Sequence, residues 1–303
     1  MSQTARAPSL SVTVIVLHWG EPELTTRCLR ALLAVVGVEL SVLVVDSIGT
    51  SDWAALDASG RIEVLRPARN EGFAGGNNLA LRRARERGAA YALLLNNDAE
   101  ITPDAVSHLL ACVERDERIA FVGSRLTAPG DPLRGTGSYG RITYGPYLVD
   151  IERGEADGPA HEVEWVSGCA VLVRLAVLAD VGPMDEEFFL YCEDVDWCLR
   201  ARQHGYRVMY EPHAVVFHRQ PTSLTSVRRR AYFMARNVLL FARKHGTLPQ
   251  RLKISAAALI LPPVSLLRRF LEGEALGVSG WVALGVIDGF LHRPPRLHQL
   301  GLR

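Results

Sequence analysis

The sequence predicts an α/β fold with a mixed, mostly parallel sheet and a helical C-terminal tail. Short aliphatic segments alternate with segments of helical spacing in the first part of the chain, which indicates βαβ units. These aliphatic segments are rich in β-branched residues, as in strands that are buried on both faces. With 303 residues, 48% hydrophobic and 22% charged, the chain has the composition of a soluble protein with one large core and an appendage.

Charge and cysteine content narrow the class of protein. The 34 basic and 33 acidic residues nearly cancel, which excludes a global field that would attract nucleic acid. The five cysteines form no CxxC pair, and scattered free thiols suit a reducing compartment. Residues 1–9 contain no long apolar segment before a cleavage site. We therefore expect a cytoplasmic protein with no nucleic-acid partner.

The periodicity places the elements of the first half. Apolar strands and amphipathic helices follow one another, with a glycine-rich loop before the second helix. The predicted elements are strand 12–17, helix 23–36, strand 41–45, strand 62–65, loop 70–78, a helix to residue 87, strand 91–95, helix 103–115 and strand 119–123.

The second half begins with a stretch rich in Gly, Pro and Tyr, residues 128–159. Because it has few aliphatic anchors, we expect an irregular, moving binding loop. An acidic and aromatic cluster later precedes a helix. The predicted elements are a strand segment 162–173 with a turn at Ser167-Gly168, helix 175–181, helix 195–203, and two strands, 206–210 and 214–218.

The tail contains a basic helix, 227–244, and two apolar segments, 254–267 and 275–291, broken by Pro262-Pro263 and several glycines. A membrane-spanning helix needs about 20 apolar residues; the first segment is shorter and carries the proline pair, and the second contains Asp288 and four glycines. Two alternatives stay open: the segments pack on the main domain, or they contact an anionic membrane surface through the basic residues that flank them.

Two strands end in carboxylates, at Asp46 and at Asp98. In open α/β sheets, ligands bind beyond the carboxyl ends of the strands, which makes both residues candidates for a binding site. Each could instead be a turn residue or a helix N-cap.

Several motifs, taken together and in order, resemble the family 2 glycosyltransferases, and among them the bacterial rhamnosyltransferase-like branch. They cover residues 12–220. They are strand 12–17 with Trp19-Gly20, the strand VLVVD at 42–46, NEGFAGGNN at 70–78, LLLNND at 93–98, VSG at 166–168, FFLYCEDVDWCLR at 188–200 and AVVFH at 214–218. The resemblance implies a Rossmann-like GT-A fold. We expect a catalytic domain at 1–220, with a nucleotide half at 10–125 and an acceptor half at 126–220, and a helical extension at 221–303.

The resemblance implies an inverting transfer from a nucleoside diphosphate sugar, assisted by Mg²⁺ or Mn²⁺. Asp98 matches the metal-binding end of an Asp-x-Asp motif whose first position is Asn96 here. His218 matches a histidine that completes the metal shell in some relatives. A hard cation with oxygen or imidazole ligands would neutralise the leaving phosphate. A structural role remains open for His218.

Asp194 matches the catalytic base of the family, which would take the proton of the acceptor hydroxyl. Glu193 is the neighbouring candidate, and because adjacent helical residues point in different directions, we expect only one of them to face the sugar. Both also lie at a helix start, where carboxylates are stabilised in any case. Asp196 is expected to pair with Arg200 at i,i+4.

The resemblance also implies a nucleotide-sugar site. Asp46 matches the residue that binds the pyrimidine edge in relatives, which favours dTDP or UDP donors. Asn77 and Asn78 are expected to cap the helix after the glycine-rich loop. The candidate ligand-binding residues are Asp46, Asn70, Gly72, Gly76, Asn77, Asn96, Asn97 and Gly168. The chain departs from the family pattern at His18 and at Ser47-Ile48-Gly49, which leaves the donor open.

For the function, we expect transfer of rhamnose from dTDP-rhamnose, or next of a hexose from a UDP-sugar. The acceptor would be a hydroxyl of a saccharide, lipid-linked or natural-product molecule, with a role in polysaccharide biosynthesis. Aromatic residues at 135–147 and Trp165 could stack on sugars, and Arg236-Asn237 resembles a tail motif that would hold the donor phosphate or position the acceptor. The alternative is a catalytically silent nucleotide-sugar-binding scaffold. Peripheral contact with the inner face of the membrane through the tail is one of the two alternatives left open above.

Overall fold

The structure is a computed structural model that describes residues 11–302, apart from 48, 50, 146–147, 220–223 and 272–277. Residues 1–9, Ile48, Tyr147 and residues 275–277, which carry some of the expectations above, therefore lie outside the described residues. So do the side chains of Pro262 and Pro263.

The first half alternates strands and helices as the periodicity predicts. A 3₁₀ turn, Trp53–Leu56, lies between the second and third strands. Helix α1 starts with a proline, whose missing N–H costs nothing at a first turn. The elements are β1 Ser11–His18, α1 Pro22–Leu33, β2 Glu39–Asp46, β3 Ile62–Leu65, α2 Gly72–Glu86, β4 Tyr91–Asn96, β5 Ala99–Ile101 and α3 Ala105–Val113.

The second half is mainly antiparallel and leads into the tail helices. A 3₁₀ turn, Leu175–Val177, runs directly into a short α-helix. The strands are β6 Ile119–Ala128, β7 Asp131–Gly135, β8 Tyr139–Ile142, β9 Val149–Glu152, β10 His161–Glu162, β11 Trp165–Val166, β12 Ala170–Arg174 and β13 Arg207–His218. The helices are α4 Leu178–Val181, α5 Glu193–Gln203, α6 Leu224–His245, α7 Leu248–Leu271 and α8 Ser279–Phe290.

In the described part of the chain, the main sheet has the order β10-β13-β6-β12-β4-β1-β2-β3, with β5 beside β13 and β7 beside β6. Strands β3, β2, β1 and β4 are mutually parallel, and β13 is parallel to β6. Strand β12 is antiparallel to both of its neighbours. This confirms the predicted mixed, mostly parallel sheet with a helical C-terminal region.

Hydrophobic side chains fill both faces of the sheet. One cluster packs α1 and α3 on one face, and the other packs α2, α5 and part of α6 on the opposite face. In α6 the buried residues Val238, Leu239 and Phe241 belong to the same cluster as Phe121 of β6 and Trp197 of α5. The tail helix therefore contributes to the main core.

Three expectations about elements were wrong. Helix α2 begins at Gly72, so Asn77 and Asn78 lie inside the helix and do not cap it. Residues 128–159 form β7, β8 and β9, because ladder hydrogen bonds to β6 and β11 satisfy their backbone groups. The two strands expected at 206–218 are one strand, β13, with an irregularity between Glu211 and Val215.

The tail also differs from expectation in its breaks. The helical backbone of α7 continues through residues 262–263, where a break was predicted. Among the described helices, none is both long and apolar enough to cross a membrane.

Candidate active site

The carboxyl ends of β1, β2 and β4 bring candidate residues together. In the parallel ladder His18 lies beside Asp46, and Leu17 lies beside Asn96. Asp98 follows two residues later, in the turn between β4 and β5. The predicted convergence of polar residues at this edge is therefore present in the fold.

Asp46 is buried at the end of β2. Its carboxylate accepts hydrogen bonds from the Gly49 N–H at 2.7 Å and from the Trp53 indole N–H at 3.2 Å. Each carboxylate oxygen has a second lone pair, so these bonds do not exhaust its accepting capacity. Sequence reasoning missed Trp53, because nothing in the pattern tells which side chain of the next loop reaches the strand end.

His18 lies beside Asp46, at the end of the neighbouring strand β1. Its Nδ1 lies 2.7 Å from the Thr25 hydroxyl, and its ring centroid lies 4.7 Å from that of Trp53. Burial lowers the pKa of His18, against the charge of Asp46, which raises it. Nε2 is buried and has no hydrogen-bond partner among the described residues. The neutral imidazole therefore presents a free nitrogen beside Asp46.

Asn97 and Asn96 support the edge through the fold. The Asn97 amide donates to the Trp19 carbonyl at 3.1 Å and to the Thr25 hydroxyl at 2.9 Å. The Asn96 backbone N–H donates to the Cys169 carbonyl at 2.8 Å, which joins β4 to the turn before β12. The observed contacts of Asn97 hold the β1–α1 loop in place.

Asp98 and His218 meet although 119 positions separate them, because β5 pairs with the end of β13. Their Oδ1 and Nε2 atoms lie 3.4 Å apart. Burial lowers the pKa of His218, but Cys169 and Asp98 outweigh it and raise that pKa to about 11. Asp98 Oδ1 is buried and, within the described residues, accepts no hydrogen bond.

These two side chains fit a divalent cation as a two-residue ligand set. As the pair stands, His218 Nε2 and Asp98 Oδ1 form an ion pair, and a cation would have to displace the proton of His218; a carboxylate oxygen and a neutral imidazole nitrogen are atom types that such cations bind. No group of three or more His, Cys, Asp or Glu side chains in the described chain could hold a metal ion alone. Further ligands would therefore have to come from the donor or from water.

The glycine-rich segment has mainly backbone and core contacts. Asn70 accepts from the Gly72 N–H at 2.9 Å and donates to the Leu302 carbonyl at 3.0 Å. Gly72 has φ of +71°, and a Cβ there would lie 2.5 Å from the Phe189 carbonyl oxygen. Both features require glycine, because L side chains rarely adopt that φ and the carbonyl leaves no space.

Gly76 and Asn77 face the interior of the fold. A Cβ at Gly76 would lie 2.9 Å from the Leu17 side chain, so this glycine lets α2 pack closely on β1. Asn77 is 1% exposed and its amide donates to the Phe73 carbonyl at 2.9 Å. These contacts give both residues a structural role in the packing of α2.

The two candidate bases at the start of α5 differ in how exposed their side chains are. Glu193 is 4% exposed, whereas Asp194 is partly exposed. Asp194 accepts hydrogen bonds from the Gly168 N–H at 3.0 Å and the Val195 N–H at 2.9 Å. Burial raises the pKa of Asp194, and these N–H groups oppose the rise. Of the two residues, Asp194 is the one that solvent or a substrate can reach.

A short path of contacts connects Asp194 to the Asp98–His218 pair. Asp194 holds Gly168, and the next residue, Cys169, accepts from Asn96 at the end of β4. The predicted base and the predicted metal ligands therefore lie at the same edge of the sheet, where β4 ends and β12 begins. As expected, Asp196 pairs with Arg200, at 2.8 Å, and it also binds His245 of α6 at 2.6 Å.

Arg236 and Asn237 do not face a donor site. They are 4% and 0% exposed, and their polar groups bind backbone carbonyls of residues 187–191. The expectation that they hold the donor phosphate is wrong for this conformation, because both side chains are enclosed by the packing of α6.

The chain is similar to proteins of one known family. Residues 8–237, well over half of the chain, match the model described as glycosyltransferase like family 2. A low-salt glycan biosynthesis hexosyltransferase of Haloferax volcanii is 24% identical over 186 residues, which cover 60% of each chain. An N-acetylglucosaminyl-diphospho-decaprenol L-rhamnosyltransferase of Mycobacterium tuberculosis is 33% identical over 78 residues, 26% of this chain and 25% of the relative. Each match spans less than two thirds of the relative's length.

Solved structures agree on the fold. A mannosyltransferase from Pyrobaculum calidifontis, in complex with GDP-Man and Mn²⁺, superposes with a TM-score of 0.59 at 16% identity, over 93% of this chain and 87% of the other. At this identity the likeness shows the GT-A fold alone. The family match over residues 8–237 shows that the chain belongs to the family-2-like glycosyltransferases.

Proposed function

We propose that the protein is an inverting glycosyltransferase that moves a sugar from a nucleoside diphosphate to an acceptor hydroxyl. The observation that carries the proposal is that a partly exposed carboxylate, Asp194, lies at the same edge of the sheet as the Asp98–His218 pair. An acid–base group and a cation site are the two functions that a single displacement at an anomeric carbon requires.

In the proposed step, the acceptor oxygen attacks the anomeric carbon from the face opposite the leaving group. The new C–O bond forms, the bond to the phosphate oxygen breaks, and its electron pair leaves on the nucleoside diphosphate. Asp194 takes the hydroxyl proton, and the N–H groups of Gly168 and Val195 fix the orientation of its carboxylate. A divalent cation held by Asp98 and His218 would neutralise charge on the diphosphate.

The donor is proposed to carry a pyrimidine base, and dTDP-rhamnose is the leading candidate. Asp46 supplies an acceptor for the imide N–H of thymine or uracil, and it lies at the strand end where the motif resemblance expects the base. The match to a mycobacterial rhamnosyltransferase supports rhamnose. A UDP-hexose is the next candidate, in line with the hexosyltransferase relative.

For the acceptor, we propose a lipid-linked saccharide presented at a membrane surface. Helix α7 has exposed leucines at 248, 252 and 259, spaced so that they share one side of the helix. Arg251 and Lys253 are exposed on the two flanks of this stripe. An apolar stripe between cations suits an anionic bilayer surface.

The proposed chemistry is tested with dTDP-, UDP- and GDP-sugars, with Mn²⁺ or with chelator, in wild type and two variants. Asp194→Asn is expected to lower turnover at least about 100-fold without weakening nucleotide binding, since a positioned base contributes that much. Asp98→Ala is expected to abolish the turnover that depends on Mn²⁺. Asp104→Asn, an exposed carboxylate on a different element, is the matched control.

Two outcomes would contradict the proposal. Nucleotide-sugar binding without turnover on any donor, unchanged by Asp194→Asn, would favour the silent binding scaffold. Equal activity in chelator and in Mn²⁺ would remove the proposed role of Asp98 and His218.

A further inference from the structure

The backbone just before Asp194 is held in an uncommon conformation. Phe189, Tyr191 and Cys192 have φ of 64°, 69° and 71°, in the left-handed region that L side chains rarely adopt. None of the three is glycine, so the conformation persists only if surrounding contacts impose it. We call residues 187–192 the αL turn.

One buried amide makes most of these contacts. Asn237 of α6 is fully buried, and its Nδ2 lies 2.9 Å from the Phe188 carbonyl oxygen, 2.9 Å from that of Leu190 and 2.8 Å from that of Tyr191. A single side chain therefore contacts three backbone carbonyl oxygens of the αL turn.

Arg236 fixes which way this amide points. Its Nη1 donates to the Glu187 carbonyl at 3.0 Å and to Asn237 Oδ1 at 2.7 Å. Because a guanidinium only donates, the amide oxygen has to face Arg236, and the NH₂ group has to face the carbonyls of the αL turn. The two residues act as one hydrogen-bonded unit.

The αL turn joins the two sides of the candidate site. The Phe189 carbonyl accepts from the Phe73 N–H at 2.7 Å, which caps the first turn of α2 after the glycine-rich segment. Cys192 is the residue before α5, and its carbonyl accepts from the Asp196 N–H at 2.9 Å. A shift of the turn would therefore move the start of α5, which carries Asp194.

We propose that Asn237, oriented by Arg236, is a positioning residue for the transfer reaction: it holds the αL turn so that Asp194 faces the acceptor hydroxyl. The inference rests on the proposed role of Asp194 as the base. It assigns α6, which follows the sheet in sequence, a direct part in the geometry of the site.

The test compares Asn237→Ala with wild type on the donor that gives turnover in the panel of nucleotide sugars. We expect kcat per folded molecule to fall at least tenfold, while KM for the donor and the affinity for the nucleoside diphosphate change less than twofold. The acid limb of the pH–kcat profile should move to lower pH, because water admitted by a loosened turn would relieve the burial that raises the pKa of Asp194.

The control is Tyr232→Phe, which removes a buried hydrogen bond between the same helix and Asp288 but keeps the ring that packs in the cluster with Phe189. It should lower stability without changing kcat per folded molecule or the pH profile. If Asn237→Ala does not fold, Arg236→Lys, which keeps the charge but loses the planar fork, is expected to give the same kcat and pH changes in smaller measure.

An unchanged kcat and pH profile in the folded Asn237 or Arg236 variant would overturn the proposal, and so would an equal loss of kcat in Tyr232→Phe. Asp194→Asn in the same assay distinguishes a failure of the proposed base from a failure of the proposed positioning role. If Asp194→Asn stays active, the proposed base is wrong; if it is inactive while Asn237→Ala keeps its rate, only the positioning role fails.

Discussion

Glu193 brings a carboxylate into the core beside the candidate base. It is 4% exposed, and its Oε2 is buried without a hydrogen-bond partner in the described part of the chain. Burial raises the pKa of Glu193 well above its ordinary value, and the charge of Asp194 adds to the rise. The folded state therefore retains a proton that the unfolded chain releases.

The sign of the pH dependence follows from this difference. Stability is lost as pH rises from the unfolded pKa towards the raised folded pKa, because the unfolded state gains free energy by ionising first. Glu193→Gln removes this loss and keeps the shape of the side chain. We expect the variant to raise the free energy of unfolding by about 1 kcal/mol or more at pH 8, with little gain near pH 4.

Urea unfolding at several pH values between 4 and 8 measures the effect. Glu21→Gln, an exposed change of the same chemistry, should leave the curve unchanged. A Glu193→Gln variant that is less stable than wild type at pH 8 would show that the carboxylate forms a favourable interaction in the folded state.

The residue scale also shows what sequence can and cannot predict. The contact between Asp98 and His218 was predictable from the motif resemblance, which assigns both residues to one metal shell. The buried clamp of Asn237 on the turn before α5 was not, because no periodicity specifies which carbonyls a distant amide will meet. Phe189, Tyr191 and Cys192 carry no sequence signal for positive φ, which is ordinarily associated with glycine.

At the scale of elements, strands of the nucleotide half were easier to predict than those of the acceptor half. Strands β1, β2 and β4 are mainly aliphatic and largely buried on both faces, and such segments have few alternatives. Strands β8 and β9 are four residues each and pair mainly with each other and with β11. Their pattern is too short for a period-two signal to distinguish them from a loop.

The exposed leucine stripe of helix α7 can be tested for contact with a membrane surface. If its leucine stripe contacts a bilayer, the double variant Leu252→Ser, Leu259→Ser should bind vesicles at least tenfold more weakly than wild type, since each buried leucine contributes about 1.5–3 kcal/mol. Vesicles containing phosphatidylglycerol should bind the protein more tightly than phosphatidylcholine alone, because Arg251 and Lys253 flank the stripe.

Cosedimentation with such vesicles measures the binding, and Ile151→Ser, an exposed apolar change in β9, is the control. Two results would count against the membrane contact. One is absence of binding to anionic vesicles. The other is a wild-type dimer in ultracentrifugation that the double serine variant converts to a monomer, which would mean that a second copy covers the stripe.

At the scale of the whole molecule, the tail and the sheet share a core. Phe241 of α6 is fully buried in the cluster that contains Phe121 and Trp197, and its ring lies 5.7 Å from that of Tyr144. Elements that share a buried cluster lose its apolar contacts together, so they are expected to unfold in one cooperative step. The predicted division of the chain near residue 220 would then describe the order of elements and not two independently folding units.

Phe241→Ala tests this cooperativity. A large-to-small change at a fully buried aromatic position is expected to cost about 3–5 kcal/mol, and the loss should appear equally in the slowest-exchanging amides of β4 and of α6. Hydrogen exchange resolved by segment measures both, and Leu248→Ala, a change at a side chain that is 69% exposed, is the control. If only α6 and α8 lose protection while β4 keeps that of wild type, the tail unfolds separately from the sheet, and the clamp of Asn237 on the turn before Asp194 would open with it.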